Sequence, residues 1–194
     1  MNGGTTVLHL GCGMDSRVLR TGNSDVMWYD ADMPEVIEAR KKYYSENDNY
    51  RMLPCDLSDI SWADKIEPAR KAVVVIEGVS MYFPLEKIRD IFSAVERKFE
   101  SAEIIMDVYT EFGVKASKWK NPIKTVGAGV ITGIDDPKLL ETGNIRFSEQ
   151  LSMTPERLVN RLSGFERAFF GAVLAGKATD GIYRIYTYKT GEWS

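Results

Sequence analysis

The stretch from Leu8 to Arg17, with the sequence LHLGCGMDSR, constrains the fold more than any other part of the chain. Its apolar start predicts a buried strand. Gly11 and Gly13 lack the side chains that would keep the backbone from turning tightly against a ligand. Asp15 or Ser16 supplies a short side-chain oxygen that caps the helix predicted to follow. A strand, a glycine turn and a capped helix form the opening unit of a Rossmann-like fold.

Two classes of cofactor bind at such a turn, and residue 16 favours one of them. Dinucleotide-binding proteins usually have Gly or Ala three residues after the second glycine, where a pyrophosphate lies on the helix N-terminus. Here that position holds Ser16, followed by Arg17. S-adenosylmethionine carries no phosphate and tolerates Asp15 beside the turn. The turn therefore favours S-adenosylmethionine, with a nicotinamide cofactor as the alternative.

Composition limits the size and setting of the protein. A chain of 194 residues with 44% hydrophobic content predicts one core and a single domain over residues 1–194. A net charge of -3 with mixed signs disfavours nucleic acid as a partner. The sequence shows neither a signal peptide nor an apolar run of the roughly 20 residues that cross a bilayer, which predicts a cytoplasmic protein. Cys12 and Cys55 lack CxxC spacing and are expected to be reduced thiols without a metal.

A second strand is predicted at residues 25–32, and it delivers Asp30 and Asp32 at its carboxyl end, where open α/β sheets bind ligands. A carboxylate about twenty residues after the first glycine accepts both hydroxyls of a ribose. We predict Asp32 for this role first and Asp30 second, with capping of the next helix as the alternative. Pro34 opens that helix, whose pattern places Arg40 outside the apolar stripe.

Two further strands end in acidic residues. Asp56 and Leu57 follow a short third strand at residues 50–54, and Asp56 is either a partner of an adenine amine or a plain turn residue. The apolar run Ala72–Ile76 predicts a central fourth strand, buried on both faces. A buried carboxylate at Glu77 is costly without a partner, so we expect it to pair with a ligand ammonium group. The alternative is a partly exposed acid at the strand end.

The second half of the chain continues the alternation and then departs from it. Pro84 opens an amphipathic helix with core residues Ile88, Ile91, Phe92 and Val95, and residues 102–110 form a fifth strand whose end turns Asp107 and Tyr109 towards the site. Five alternations predict a parallel, doubly wound sheet. Residues 111–153 are predicted as a partly helical cap over the substrate pocket. Residues 165–174 and 181–190 are predicted as the last two of seven strands.

Taken in order, these segments resemble the leucine carboxyl methyltransferases and the bacterial O-methyltransferases linked to polyketide biosynthesis. The resemblance rests on LGCGMDSR, WYDADMPEVIEARKKY, CDLSD and VVVIEGVSMYF, and more loosely on TPERLVNRLSGFERAFF and YRIYTY. It implies an α/β class I methyltransferase fold: a mostly parallel, doubly wound sheet of seven strands with an antiparallel closing strand. It also implies S-adenosylmethionine as cofactor and a small-molecule acceptor.

The resemblance assigns a role to each matching residue. In chain order, these are Gly11 and Gly13 in the loop that contacts the cofactor, Asp32 on its ribose, Asp56 and Leu57 on its adenine, Glu77 by its methionine part, and Tyr82 beside the methyl group and the acceptor. Arg17 matches the arginine that ends the first motif, and its alternative role is an ion pair with Asp15 or Asp32.

One departure from the family concerns the N-terminal side. Family members normally carry a helical region before the glycine loop, with an arginine that meets the cofactor carboxylate, whereas this chain reaches its loop by residue 11. We expect either that Arg17 takes over this contact or that the site binds the cofactor more weakly.

Methyl transfer is an in-line displacement, so the protein chiefly aligns donor and acceptor and excludes water. A carboxylate acceptor needs no base, whereas a hydroxyl acceptor benefits from one. The single histidine, His9, lies within the first strand, where a core role is expected. The sequence thus predicts an O-methyltransferase acting on a small carboxylate or hydroxyl compound, with Tyr82 at the reacting groups. A nicotinamide-dependent oxidoreductase and a catalytically weak ligand-binding or partner-binding domain are the alternatives, and a homo-oligomer is left open.

Overall fold

The computed structural model of the chain describes residues 2–21, 25–117, 132–151, 157, 160–166 and 180–190. The strands in these residues are β1 (Asn2–Leu10), β2 (Val26–Asp32), β3 (Tyr50–Pro54), β4 (Ala69–Ile76), β5 (Ser101–Tyr109), β6 (Arg146–Leu151) and β7 (Tyr183–Thr190). The α-helices are α1 (Arg17–Thr21), α2 (Pro34–Arg40), α3 (Leu85–Lys98) and α4 (Glu111–Ser117). Short 3-10 turns span Ile60–Lys65, Ser80–Tyr82 and Pro137–Leu140.

The strands form one sheet in the order β3–β2–β1–β4–β5–β7–β6. The first five are parallel to their neighbours, β7 runs antiparallel to β5, and β6 runs antiparallel to β7. This confirms the predicted mostly parallel sheet with an antiparallel closing strand. The chain winds outwards from β1 to β3 and then crosses to β4 on the other side of β1. The carboxyl ends of β1 and β4 therefore form the topological switch point, where α/β sheets bind ligands.

Two apolar clusters hold helices on opposite faces of the sheet. The larger one packs α3 against β4 and β5 through Ile88, Ile91 and Phe92, as the helical spacing predicts. The smaller one includes Trp28 of β2 and Ile37 of α2. Each such side chain that leaves water contributes about 1.5–3 kcal/mol. Within the described residues, no helix is long and apolar enough to cross a membrane.

Strand β4 is buried less evenly than predicted. Ala72, Val74 and Ile76 on the α3 side are buried, whereas Val73 and Val75 on the other face are only half-buried. The expectation of burial on both faces is wrong for the second face, because α2 lies over β2 and β3.

The sixth strand lies elsewhere than predicted. Of the predicted strand at residues 165–174, Phe165 and Glu166 are helical and the remainder lies outside the described residues. The sixth strand is Arg146–Leu151, inside the stretch assigned to a cap. It occupies the edge of the sheet and most of its side chains are exposed, so it lacks the apolar content that marks an interior strand.

The predicted cap at residues 111–153 is therefore not one continuous insertion. It begins with α4, but Ile134, Leu140 and Ile145 are buried in the main apolar cluster next to α3, and β6 completes the sheet. Residues 118–131 lie outside the described part of the chain. A cap there stays a prediction.

Candidate functional site

The glycine turn after β1 has the backbone that its sequence predicts. Gly11 and Gly13 both adopt positive φ, at 75° and 49°. A Cβ on Gly11 would lie 2.0 Å from Cγ2 of Val79, which follows β4, whereas a Cβ on Gly13 would meet no atom within 4 Å. Gly11 is thus required for close packing between two strand ends, while Gly13 borders open space. After the turn, Oδ1 of Asp15 accepts from the backbone N–H of Arg17 and caps α1, as predicted.

Asp32 joins the turn to the next helix. Its Oδ2 accepts a hydrogen bond from the backbone N–H of Gly13 at 2.7 Å, and its Oδ1 accepts one from that of Met33, also at 2.7 Å. A carboxylate oxygen has two lone pairs, so each oxygen keeps one acceptor position for a ligand hydroxyl. The end of β2 thus holds a fixed, charged acceptor beside the glycine turn.

A cleft of about 360 Å³ opens at the strand ends, within the size range of small-molecule sites. Among its lining residues are six of the eight predicted for the site: Gly11, Gly13, Asp32, Asp56, Leu57 and Tyr82. Met33, Val79 and Phe83 also line it and were not predicted. The cleft lies at the switch point and draws on residues that follow β1, β2, β3 and β4.

The residues after β3 present one polar and one apolar side chain. Asp56 is exposed, and its Oδ1 accepts from the backbone N–H of Ser58 at 2.8 Å. Leu57 is buried in the main cluster while also lining the cleft. A flat ring placed there would lie against an apolar side chain with a carboxylate at its edge.

Arg17 and Glu77 lie outside the lining of this cleft and pair with each other. Nη2 of Arg17 is 2.5 Å from Oε2 of Glu77 and 3.4 Å from Oδ2 of Asp15. The Glu77 side chain is 56% exposed, so the expected buried carboxylate is wrong and the exposed alternative holds. The alternative ion pair of Arg17 with Asp15 is also present. At the end of β4, an acidic residue and a basic residue therefore lie side by side as an ion pair.

Asp30, the second choice for a ribose contact, is completely buried. It accepts from Trp28 Nε1 at 2.8 Å, Tyr50 Oη at 2.7 Å and Arg40 Nη2 at 2.5 Å, with His9 Nδ1 at 3.2 Å. Burial opposes its ionisation, but these hydrogen bonds and the Arg40 charge outweigh that effect and lower the pKa of Asp30. The prediction of Asp30 as a ligand contact is wrong because these side chains enclose it.

Arg40 is a residue whose importance the sequence did not reveal. Its predicted place outside the apolar stripe is wrong, because the side chain is fully buried. Nη1 donates to the carbonyl of Gly13 at 2.9 Å and Nη2 to that of Asp15 at 2.7 Å, while the guanidinium lies 4.0 Å from the Tyr44 ring centroid. Arg40 thus fixes the glycine turn by hydrogen bonds to its carbonyl groups. An arginine six residues after a helix-opening proline gives no sequence signal of this role.

The histidine and the two cysteines are buried and are not available for catalysis. His9 is buried, with Nδ1 against Asp30 and Nε2 3.3 Å from Arg17 Nη1, which fits the expected core role. Burial raises the pKa of Cys12 to about 12 and that of Cys55 to about 11, so both are protonated at neutral pH. The described residues contain no group of three metal-ligating side chains.

The end of β5 supports the loop that carries Tyr82. Oδ2 of Asp107 accepts from the backbone N–H of Gly78 at 2.7 Å and from the hydroxyl of Tyr183. Ser80 Oγ donates to the Asp107 carbonyl. Burial and the Glu77 charge raise the pKa of Asp107 against the effect of its hydrogen bonds. Tyr82 is half-buried and lines the cleft.

Comparison with known proteins gives consistent matches. The family model of leucine carboxyl methyltransferase matches residues 1–96. The tetracenomycin polyketide synthesis O-methyltransferase TcmP of Streptomyces glaucescens is 35% identical over 150 residues, which are 76% of this chain and 56% of that protein. The S-adenosyl-L-methionine-dependent methyltransferase dpfgK of Gibberella zeae is 26% identical over 154 residues, 72% of this chain and 52% of that protein.

A solved structure shares the fold. A candidate methyltransferase from Thermobifida fusca superposes with a TM-score of 0.69 at 13% identity, over 98% of this chain and 74% of that one. The chain spans about half the length of the curated relatives it matches. The sequence matches show that the chain is similar to leucine carboxyl methyltransferases and to S-adenosylmethionine-dependent O-methyltransferases.

Proposed function

We propose that the chain is an S-adenosylmethionine-dependent O-methyltransferase domain that acts on a carboxylate or a hydroxyl of a small molecule. The observation that carries this proposal is the single cleft in which the glycine turn, Asp32, Asp56, Leu57 and Tyr82 meet. The names of the relatives support the same reaction and cofactor. The chain spans about half the length of those relatives, so the complete methyl-transfer activity is proposed for this chain and is not shown by the matches.

The cleft fits the nucleoside part of the cofactor. Asp32 keeps one acceptor position on each oxygen, which matches the two hydroxyls of a ribose. Leu57 offers an apolar surface for the adenine ring, and Asp56 an acceptor for its amino group. The space beside Gly13 leaves the backbone open to close approach by the ligand.

Glu77 and Arg17, at the end of β4, are the candidates for binding the amino-acid part of the cofactor. Its ammonium group needs an anion and its carboxylate needs a cation, and Glu77 and Arg17 supply one of each. Both are partly exposed, so their mutual ion pair is weak and exchangeable. We therefore assign these two residues to the methionine part.

When bound, the cofactor supplies a methyl group on a positively charged sulfur. The protein's part is to align an acceptor with that group and to exclude water, which Tyr82 and Phe83 do at the edge of the cleft. A carboxylate acceptor needs no base. His9 is unsuited to be one, because both of its ring nitrogens are engaged within the core.

The nicotinamide alternative is not favoured. The backbone N–H groups of Gly13 and Arg17, which a pyrophosphate at this turn would need, already donate to Asp32 and Asp15. The matched relatives are named as methyltransferases. A catalytically weak binding domain differs from the proposed enzyme only in the transfer step, so the test has two stages.

Calorimetric titration with S-adenosylmethionine, S-adenosylhomocysteine and NAD tests the cofactor first. We expect saturable binding of the two sulfur nucleosides and none of NAD. Absence of their binding at millimolar concentration contradicts the proposal, and binding of NAD alone supports the oxidoreductase. Transfer of a labelled methyl group to a panel of aromatic carboxylic acids and phenols is the second stage. Tight cofactor binding without transfer to any acceptor favours the binding domain.

A further inference from the structure

A second cavity, of about 120 Å³, lies at the ends of β4, β5 and β7 and is separate from the cofactor cleft. Val75, Ile105 and Ile185 give it an apolar wall, and Glu77, Asp107 and Tyr183 are its polar lining residues. Val75 lies beside Ile105 in register, and Ile185 lies opposite Asp107. The cavity thus opens on the sheet face opposite α3. We call it the Asp107 subsite.

Asp107 has one hydrogen-bonded oxygen and one without a partner. The residue is 5% exposed, and its Oδ2 accepts from Gly78 and Tyr183. Its Oδ1 is buried and has no hydrogen-bond partner in the described part of the chain. Buried acceptors are normally hydrogen-bonded, and a buried acceptor without a partner destabilises the folded protein. A buried carboxylate oxygen without a hydrogen-bond partner suggests that a bound ligand donates a hydrogen bond to it.

The charges around the subsite indicate whether the bound group is an anion or a hydrogen-bond donor. Glu77 adds a second negative charge close enough to raise the pKa of Asp107. Arg17, the basic partner of Glu77, is also paired with Asp15. No basic side chain of the described residues forms an ion pair with Asp107. An anion would therefore be repelled, whereas an N–H or O–H donor would satisfy Oδ1.

We propose that the Asp107 subsite binds a hydrogen-bond-donating group of the acceptor, a protonated amine or a hydroxyl attached to an apolar ring or chain, with Asp107 Oδ1 as its acceptor. The assignment to the acceptor rests on the proposed methyltransferase function. Oδ2 links the subsite to the cofactor cleft, because it holds the backbone of Gly78, which lines that cleft. The cavity is somewhat smaller than an engineered apolar cavity of about 150 Å³ that binds benzene, so its occupant is a short chain or a small ring that reaches out of the opening.

Three probes of the same shape test the proposal: benzylammonium, benzyl alcohol and benzoate. Their binding to the whole chain is followed by ligand-observed NMR and by amide chemical shifts. We expect the two donors to bind at the ends of β5 and β7 and benzoate not to bind. The stronger of the two donors identifies whether the subsite prefers an amine or a hydroxyl. Equal binding of all three probes overturns the proposal.

The variant Asp107→Asn reverses the hydrogen-bonding character of the subsite at constant shape. Its amide oxygen accepts from Gly78 and Tyr183, so its NH₂ group, a donor, takes the place of Oδ1. We expect benzylammonium, which can only donate, to bind about tenfold more weakly and benzoate to gain affinity, whereas benzyl alcohol, whose hydroxyl also accepts, changes least. Asp90→Asn, on the exposed side of α3, is the matched control and leaves all three unchanged. Unchanged affinities in Asp107→Asn contradict the proposal.

Tyr183→Phe gives an independent check if the first variant does not fold. It removes one donor from Asp107 Oδ2, so the carboxylate becomes a stronger acceptor and benzylammonium binds several-fold more tightly. An unchanged or weaker affinity contradicts the proposal.

S-adenosylhomocysteine separates this inference from the proposed function. Failure to bind S-adenosylhomocysteine with intact probe selectivity overturns the proposed function and the assignment to the acceptor, but not the preference of the subsite for a hydrogen-bond donor. Displacement of benzylammonium by S-adenosylhomocysteine, with weaker nucleoside binding in Asp107→Asn, assigns the subsite to the cofactor and overturns this inference.

Discussion

Nη2 of Arg40 donates to Oδ2 of Asp30 at 2.5 Å, and neither side chain is exposed to solvent. The same guanidinium donates to the carbonyls of Gly13 and Asp15. The glycine turn beside the cleft is therefore held in place by a buried ion pair. Changes at this pair are expected to reach both the stability of the fold and the shape of the cleft.

Replacing Arg40 by Met should destabilise the protein strongly. The change leaves Asp30 as a buried carboxylate without its cation and two carbonyls of the turn without a donor. Removing one partner of a buried ion pair typically costs about 3–5 kcal/mol. Urea unfolding at neutral pH measures this loss as a fall in the free energy of unfolding.

Arg70→Met is the matched control for that experiment. Arg70 forms an exposed ion pair with Glu100, and such pairs contribute about 0–1 kcal/mol. Arg40→Lys retains the charge but not the forked geometry that reaches several acceptors, so its loss should fall between the two. Equal losses in Arg40→Met and Arg70→Met would show that the buried pair does not support the turn.

The stability of the protein should also depend on the ionisation of Asp30. Its pKa is lowered in the folded state, so its contribution is present above the pKa of an unfolded aspartate, about 3.9, and is lost as the pH falls through the folded value. Asp30→Asn should remove this part of the pH dependence. Urea unfolding of both proteins from neutral pH into the acid range checks it. Parallel curves, with a constant difference at every pH, would refute this prediction.

The contrast between Asp30 and Asp32 shows what the sequence could and could not predict. Both lie on the same face of β2, because side chains two apart in a strand point the same way. Spacing from the glycines alone does not separate them. They differ in burial. Arg40 of α2 and Tyr50 of β3 enclose Asp30, whereas Asp32 lies at the end of the strand, where these two side chains do not enclose it. Such contacts between distant segments have no local sequence signal.

The sheet shows the same division between interior and edge. The interior parallel strands β1, β2, β4 and β5 carry apolar runs and were predicted as strands, because interior strands must be apolar. Strand β3, at the edge opposite β6, was also predicted, and its Tyr50 and Met52 are buried. Strand β6 has mostly exposed side chains and only Phe147 and Leu151 as large apolar residues, so its sequence does not differ from that of a loop. The more apolar stretch at residues 165–174 was predicted in its place.

Gly11→Ala should cost more than Gly13→Ala, although both glycines have positive φ. Both variants carry the penalty of a left-handed alanine, about 1–2 kcal/mol. Only Gly11→Ala adds a clash, since its Cβ would lie 2.0 Å from Cγ2 of Val79, and overpacking costs about 1–3 kcal/mol more. Thermal or urea unfolding ranks the two variants.

The double variant Gly11→Ala/Val79→Ala tests the cause of that difference. Removing Cγ2 relieves the closest contact, so the double variant should lose less stability than the sum of the two single losses. Additive losses would mean that the backbone conformation alone disfavours alanine at position 11.

Asp32→Asn should weaken S-adenosylhomocysteine binding more than Asp56→Asn does. Both oxygens of Asp32 accept from backbone N–H groups, and an amide nitrogen in place of one oxygen would face a donor and disrupt the turn as well as the proposed ribose contact. Loss of hydrogen bonds to a charged group costs about 1.5–3 kcal/mol, or about 10–100-fold in affinity. Asp56 is exposed and contributes one contact, so a loss of several-fold is expected.

Calorimetry on folded variants measures both losses, and Asp59→Asn is the control. Asp59 caps a 3-10 turn outside the cleft with its side chain, so its replacement should leave nucleoside affinity unchanged. The assignment of the ribose to Asp32 would be wrong if Asp32→Asn and Asp59→Asn bound S-adenosylhomocysteine equally well.

Glu77→Gln and Arg17→Met should reveal which part of the cofactor lies at the end of β4. If Glu77 binds the ammonium group and Arg17 the carboxylate, each variant weakens S-adenosylhomocysteine. Methylthioadenosine has the same nucleoside but no amino-acid part, so its affinity should not change. The pair is partly exposed, which limits each expected loss to about 1 kcal/mol, or about fivefold. Calorimetric titration of both nucleosides against both variants gives the comparison. Equal weakening of the two ligands would instead mean that the Arg17 and Glu77 pair acts through the glycine turn, because Arg17 also contacts Asp15 and His9.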